Sequence, residues 1–209
     1  PMPQITRKAI NAPNLGYTTY GELRSYDGMP KTGDIPLDTQ RELIKGYYAS
    51  TTYTDAQIGK LLDKLKELKL EENTIIILWG DHGWHLGDHG QWTKHTNYEQ
   101  ATRSPLIICS PKQLIAQKVS SPTEFTDVFP TLCEMAGIPI PNNLDGKSLV
   151  PLIKDPSSAV HDFAVTQYPR DKQNSIMGYA LRDNRYRLVL WMSDNYTTRM
   201  KYDERWLIA

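Results

Sequence analysis

The sequence has no excess of charge of either sign, because 24 lysines and arginines balance 24 aspartates and glutamates in 209 residues. Without a surplus, binding to nucleic acid or to a charged membrane surface through bulk electrostatics is not expected. Long hydrophobic runs are also missing. The longest extends from Ile75 to Trp79, far short of the roughly 18 residues of a membrane span. The sequence therefore predicts neither a nucleic-acid partner nor a membrane partner.

Cysteine is scarce, since Cys109 and Cys133 are the only two. They are too few for a disulfide scaffold, and the sequence leaves open whether they pair. The chain also starts without methionine and without a charged-then-apolar leader, so we expect either a removed leader or a piece of a longer protein. Aromatic bulk is plentiful, with 3 Phe, 5 Trp and 12 Tyr. That bulk predicts a globular chain rather than a disordered one.

Hydrophobic spacing predicts an α/β arrangement for the first part of the chain. Apolar residues recur at helical spacing from Asp38, the expected N-cap, to about Leu70. Weak helix formers at 49–54 predict a bend there. The runs 74–79 and 105–109 are apolar on both faces, which is typical of parallel strands covered on both sides.

The pattern changes after a linker at 154–158. A helix over 128–136 precedes the linker, and three strands are predicted beyond it, over 163–166, 175–181 and 186–191, with a tight turn at Asp183-Asn184. We therefore predict an α/β domain over 1–156 and a small, incomplete antiparallel subdomain over 157–209.

Residues able to bind a metal are concentrated directly after the 74–79 run. Four of the five histidines fall within fourteen residues, namely His82, His85, His89 and His95. Asp81 and Asp88 lie among them, and the carboxyl end of a strand is where open α/β sheets bind ligands. Carboxylate and imidazole both hold divalent metals. The cluster predicts a metal or anion site, and these residue types alone would favour zinc or manganese.

The same segment resembles the second conserved metal motif of the sulfatases, within the alkaline phosphatase superfamily. The resemblance is carried by Asp81-His82-Gly83-Trp84-His85-Leu86-Gly87, by His89-Gly90, Trp92, Lys94 and Asn97, and by Tyr47-Tyr48-Ala49-Ser50 upstream. The motif is similar to the iduronate-2-sulfatase-like branch, as are Gln167-Tyr168-Pro169-Arg170 and Ile176-Met177-Gly178-Tyr179. This implies part of an alkaline-phosphatase-like, mostly parallel sheet flanked by helices.

The resemblance also implies an activity, the hydrolysis of sulfate esters on a sulfated saccharide such as 2-O-sulfated uronate in glycosaminoglycans. In the family, a formylglycine attacks the ester while one calcium ion orients it. The resemblance assigns Asp81 and His82 as calcium ligands and Lys94 as the sulfate-binding lysine. It also suggests three substrate contacts, Trp84, His85 and Arg170, although Trp84 and His85 would equally suit packing of the loop and Arg170 a place on the surface. A secreted, periplasmic or lysosomal location follows from the family.

The formylglycine itself is expected outside this chain, in an N-terminal half that acts as its partner. Cys109-Ser110-Pro111-Lys112-Gln113 comes close to the family motif Cys/Ser-x-Pro-x-Arg, but Gln113 replaces the arginine. The run also follows the metal loop, whereas the family nucleophile precedes it. We therefore predict that this portion alone is inactive.

Two other functions stay open. Adjacent Asp-His after a strand recurs across the superfamily, which allows a metal-dependent phosphatase or phosphodiesterase. A non-catalytic metal-binding or glycan-binding module is the other alternative. The upstream nucleophile motif would separate the sulfatase from the phosphatase, and the length of the encoded gene would test the non-catalytic module.

Overall fold

The structure is a computed structural model. It describes residues 2–18, 21–111, 116–171, 176–193 and 207–208. The helices are α1 (Gly21–Arg24), α2 (Leu37–Glu67), α3 (Glu99–Thr102), α4 (Val128–Met135) and α5 (Val150–Lys154). The strands are β1 (Ile76–Trp79), β2 (His85–Leu86), β3 (Trp92–Thr93), β4 (Leu106–Cys109), β5 (Ala164–Asp171), β6 (Ile176–Arg182), β7 (Arg187–Ser193) and β8 (Leu207–Ile208).

The chain forms two compact units. Unit 1 comprises Pro1–Thr74 and Trp79–Leu106, and unit 2 comprises Ile75–Leu78 and Ile107–Ala209. The boundary expected near residue 156 stays a prediction.

Helix α2 runs as one element of 31 residues, although the sequence predicts a bend near 49–54. The hydroxyls of Thr51 and Thr52 donate to the carbonyls of Tyr47 and Tyr48, each at 3.0 Å. These bonds satisfy the two hydroxyls within the helix, so they do not compete for the backbone in another conformation. None of the described helices is both long and apolar enough to cross a membrane.

The start of α2 differs from the prediction by two positions. Pro36 is the N-cap residue and offers no side-chain cap, and Leu37 opens the helix. The predicted N-cap role of Asp38 is therefore wrong. Asp38 lies in the first turn, where a carboxylate interacts favourably with the helix dipole, and it pairs with Arg41 at 2.9 Å.

The core of unit 1 lies where α1 and α2 meet the hairpin of β2 and β3. Four buried residues form it, namely Leu23, Ile35, Ile44 and Trp92, with Met29, Leu43 and Leu86 packed against them. Because Trp92 and Leu86 are paired across the hairpin, this apolar cluster holds the hairpin against the helices. The segment richest in histidine is thereby anchored to the core.

Strands β1 and β4 pair with each other in a two-stranded sheet. Leu78 is 38%, Trp79 47% and Ile107 56% exposed. The described part of the chain therefore does not cover this strand pair on both faces. These three side chains lie in solvent in the described part of the chain. A parallel sheet around the pair stays a prediction.

Unit 2 contains an antiparallel sheet in the order β5-β6-β7-β8, which confirms the predicted meander. The predicted turn is confirmed as well. The Asp183 carboxylate accepts hydrogen bonds from the backbone N–H groups of Arg185 and Tyr186, as aspartate does in tight turns. The bond from Tyr186, followed by that from Arg185, lowers the pKa of Asp183.

A buried carboxylate connects several segments of unit 2 outside its sheet. Asp127 is fully buried and accepts hydrogen bonds from the backbone N–H groups of Glu124 and Lys147, both at 2.8 Å. The His161 Nε2 atom lies 2.9 Å from both carboxylate oxygens. One side chain therefore joins three stretches that are distant in sequence.

The two cysteines are not bonded to each other. Cys133 is buried in α4, and Cys109 is exposed at the end of β4. The near match to the nucleophile motif that starts at Cys109 ends in Gln113, which lies outside the described residues.

Candidate functional site

The loop after β1 is held tightly against α3. The Gly83 N–H donates to the carbonyl of Ala101 at 2.8 Å. A Cβ atom placed on Gly83 would lie 1.9 Å from the carbonyl oxygen of Gln100. Only glycine fits at such a distance, so Gly83 fixes the backbone directly after Asp81 and His82.

The two predicted metal ligands lie beside each other. The Asp81 Oδ2 atom is 3.4 Å from the His82 Nε2 atom, and the His82 Nδ1 atom is 2.8 Å from the carbonyl oxygen of Gly83. Because a carbonyl oxygen can only accept, Nδ1 carries the proton of this hydrogen bond. The lone pair of a neutral His82 then lies on Nε2, toward Asp81. That tautomer is the one a metal ligand needs.

The pair fits a calcium ion as part of a ligand set. The Asp81 side chain is 85% exposed, so its oxygens are accessible, and carboxylate oxygen is the donor that calcium prefers. An imidazole is an unusual calcium ligand. Among the described residues no group of three or more His, Cys, Asp or Glu could hold a metal, so further donors are needed.

Lys94 lies in the same unit, directly after β3. Its ammonium is 3.1 Å from Glu22 Oε1 and 5.4 Å from the centroid of the Trp84 ring. The Trp84 ring also stacks on His82, with centroids 6.0 Å apart and planes at 28°. Trp84 therefore contacts both the predicted sulfate-binding lysine and a predicted metal ligand.

A small cleft opens beside this cluster. Its volume is about 190 Å³, and Tyr47, Ser50, Trp84 and Thr93 are among the residues that line it. The Tyr47 and Trp84 rings stack with centroids 6.5 Å apart. An aromatic wall of this kind suits the apolar face of a ring-shaped ligand.

Thr93 carries backbone strain at the base of the site. Its φ angle is 66°, a left-handed value that is a genuine outlier for a β-branched residue. Thr93 is 1% exposed, and its Oγ1 atom has no hydrogen-bond partner in the described structure. Strain of this kind costs about 1–3 kcal/mol and concentrates at functional sites. It sets the direction in which the chain continues into Lys94.

Glu22 is a second residue that sequence reasoning missed. It belongs to α1, within a stretch that has no motif, and lies 72 positions before Lys94 in sequence. Its other carboxylate oxygen is 3.6 Å from the His95 Nε2 atom. No local signal could have found it, because only the tertiary structure brings α1 next to β3.

His85 occupies a different place from the one expected of a substrate contact. It is 1% exposed, and its Nε2 atom lies 2.7 Å from the hydroxyl of Thr96. His85 therefore packs inside the loop and links β2 to the segment after Lys94, and a substrate contact for it stays a prediction. Burial, and secondarily the nearby His89, lowers the pKa of His85 to about 4.

This lowered pKa predicts acid sensitivity. An unfolded histidine titrates near 6.5, so unfolding takes up a proton between pH about 4 and 6.5. The free energy of unfolding should fall as the pH drops through this window, by up to about 3 kcal/mol. Urea unfolding of the full-length protein at several pH values would measure the fall. In His85→Gln this component should vanish, and an unchanged slope would contradict the assignment.

Arg170 lies on β5 in unit 2, at the point where the register with β6 shifts between Pro169 and Asp171. Such irregularities can redirect a side chain. A substrate contact for Arg170 stays a prediction.

Two protein-family models match this chain. The family model described as Sulfatase matches residues 16–138, and the model described as N-sulphoglucosamine sulphohydrolase, C-terminal, matches residues 87–205. The first match covers more than half of the chain and includes α2, the metal-motif loop and Lys94.

Individual relatives agree with this match. Iduronate 2-sulfatase of Homo sapiens is 31% identical, over 78% of this chain and 40% of its own length. A protein solved in complex with its substrate D-glucosamine-2-N,6-O-disulfate is 27% identical with a TM-score of 0.61, over 76% of this chain and 35% of that chain. A phosphonate monoester hydrolase from Silicibacter pomeroyi is 28% identical with a TM-score of 0.58, over 71% and 34%.

The chain thus spans about two fifths of the length of the curated relative. The shared family model covers the segment that holds Asp81, His82 and Lys94. The chain belongs to the sulfatase family and is similar to iduronate 2-sulfatase.

Proposed function

We propose that this chain supplies part of the calcium site and the sulfate-binding lysine of a sulfuric ester hydrolase acting on sulfated saccharides. The observation that carries the proposal is one continuous cluster. Asp81 contacts His82, His82 stacks on Trp84, and the Lys94 ammonium lies over the same ring. The predicted metal-ligand pair and the ammonium are therefore held close to one aromatic ring. An anionic ester requires both of these groups near each other.

Each residue has a distinct role in this proposal. The Lys94 ammonium neutralises charge on the sulfuryl oxygens, both in the bound ester and as charge develops during cleavage. Asp81 and His82 would hold calcium, which when bound supplies Lewis acidity at the sulfuryl group. Trp84 and Tyr47 provide an apolar wall for a sugar ring.

The remaining parts would come from outside residues 1–209. These are the formylglycine nucleophile and the other calcium ligands, which the family resemblance places in an N-terminal half of the same enzyme. By itself this chain would not catalyse hydrolysis. Export to a secreted, periplasmic or lysosomal location is part of the same proposal.

The substrate class is a sulfated saccharide. Support comes from the related structure whose substrate is a disulfated glucosamine and from the similarity to iduronate 2-sulfatase. Within that class we propose a 2-O-sulfated uronate of glycosaminoglycans as the first candidate.

A phosphoryl or phosphonyl ester is the second candidate. The likeness to a phosphonate monoester hydrolase favours it, because phosphonate and sulfate esters share a tetrahedral anionic head. The arrangement of Lys94 and the Asp81–His82 pair suits either head.

The test is ester hydrolysis by the full-length encoded protein before and after chelation. We expect turnover of a sulfated disaccharide, loss of turnover with a chelator, and recovery with calcium. Preferential turnover of a phosphorus ester, restored by a transition metal, would replace this proposal with the second candidate. Binding of metal and saccharide without turnover of either ester would indicate a non-catalytic module.

A further inference from the structure

We propose that Glu22 tunes the charge selectivity of Lys94, shifting it away from doubly charged phosphate esters and toward singly charged sulfate esters. The proposal rests on the proposed function in one respect, namely that Lys94 binds the anionic head of the ester. It adds a specificity-determining residue from α1, a part of the chain with no motif.

The geometry places a carboxylate behind the anion-binding cation. Glu22 Oε1 lies 3.1 Å from the Lys94 ammonium, and Glu22 Oε2 lies 3.6 Å from His95 Nε2. The Glu22 side chain is only 25% exposed, and its Oε2 atom is buried without a hydrogen bond. The negative charge is therefore held in place and poorly screened by water.

An anion bound at Lys94 is repelled by the negative charge of Glu22. An ammonium has three N–H donors, and the bond to Glu22 uses one of them. An anion bound at another donor would lie on the order of 6 Å from the Glu22 carboxylate, from two successive hydrogen-bond lengths. At that distance each negative charge on the ligand weakens binding by about 3- to 100-fold, for effective dielectric constants between 80 and 20.

The electrostatic repulsion by Glu22 is about twice as large for a phosphate ester as for a sulfate ester. A sulfate ester carries one negative charge, whereas a phosphate ester carries nearly two at pH 8 because its second pKa is about 6. Glu22 therefore reduces the affinity of Lys94 for both heads but reduces it more for the dianion. Compared with the same site lacking this carboxylate, selectivity therefore shifts toward the monoanion.

The exposed pair of Lys64 and Glu67 on α2 provides the matched control. These two side chains lie 2.7 Å apart but are 58% and 66% exposed, so water and salt screen their charges. Removing the Glu67 charge should not change the binding of either type of anion at Lys94.

The experiment is calorimetric titration of the full-length protein with two probes of similar shape. Phenylmethanesulfonate carries one negative charge, and phenyl phosphate carries nearly two at pH 8. In Glu22→Gln, which keeps an oxygen acceptor for Lys94, affinity should rise for both probes. The rise should be about tenfold larger for phenyl phosphate than for phenylmethanesulfonate.

The remaining variants make the result decisive. Glu22→Asp keeps the charge and should keep the wild-type preference, while Glu67→Gln should match wild type. Equal changes for both probes in Glu22→Gln, weaker binding of both, or no binding of either probe to wild type would overturn the proposal. Turnover of a sulfated disaccharide, measured separately, tests the proposed function, so the two can fail independently.

Discussion

Replacing Lys94 by alanine is expected to slow hydrolysis of a sulfated saccharide by the full-length protein about 30- to 1000-fold. The variant loses one charge-assisted contact to the sulfuryl oxygens, which is worth about 2–4 kcal/mol in the transition state. Calcium affinity should stay nearly unchanged, because a lysine ammonium has no lone pair for a metal. Steady-state kinetics together with calcium titration would measure both quantities.

Two further variants show what the Lys94 result means. Asp81→Ala removes a carboxylate that contacts His82, so it should lose calcium and activity together. Lys64→Ala removes an exposed lysine of α2 and should retain wild-type turnover. Near-native turnover in Lys94→Ala, or a loss of calcium equal to that of Asp81→Ala, would contradict the sulfate-binding role.

Replacing Gly83 by alanine is expected to destabilise the folded protein by about 2–4 kcal/mol. The added Cβ would lie 1.9 Å from the carbonyl oxygen of Gln100, so the loop must move away from α3. That movement combines the strain of overpacking with the loss of the hydrogen bond from Gly83 to Ala101. Urea unfolding of the full-length protein would measure the change, and calcium titration should show weaker binding because Asp81 and His82 adjoin the displaced residue.

Gly59 offers the matched control for this substitution. It lies in α2, and a Cβ there would meet nothing within 4 Å. Gly59→Ala should therefore stabilise the protein by about 0.5–1 kcal/mol, since alanine favours helix more than glycine does. Similar effects of the two substitutions would show that close packing at Gly83 does not hold the loop.

Structure encoded by neighbouring residues could be predicted well. The meander of β5, β6 and β7 and its turn at Asp183 follow from alternating side chains and from hydrogen bonds that aspartate makes two and three residues ahead. The helix over Val128–Met135 follows in the same way, with Pro130 in its first turn. In each case the deciding interactions lie within a few positions.

Predictions that depended on contacts with residues distant in sequence were less accurate. The covered strand pair is exposed because burial of Leu78 and Ile107 requires other layers of structure. The sequence left open whether His85 lines a pocket or packs the loop, and only the tertiary structure shows that it is buried.

The sequence by itself pointed to the family and the candidate chemistry, because the segment that holds Asp81, His82 and Lys94 resembles a conserved motif of the sulfatases. Only the tertiary structure decided how these groups are arranged. Gly83 and α3 fix the loop, Thr93 sets the direction of the chain into Lys94, and Trp84 contacts both His82 and the ammonium. The role of Glu22 depends entirely on folding, since a charge on α1 acts on Lys94 through a distance of 3.1 Å and not through 72 positions of sequence.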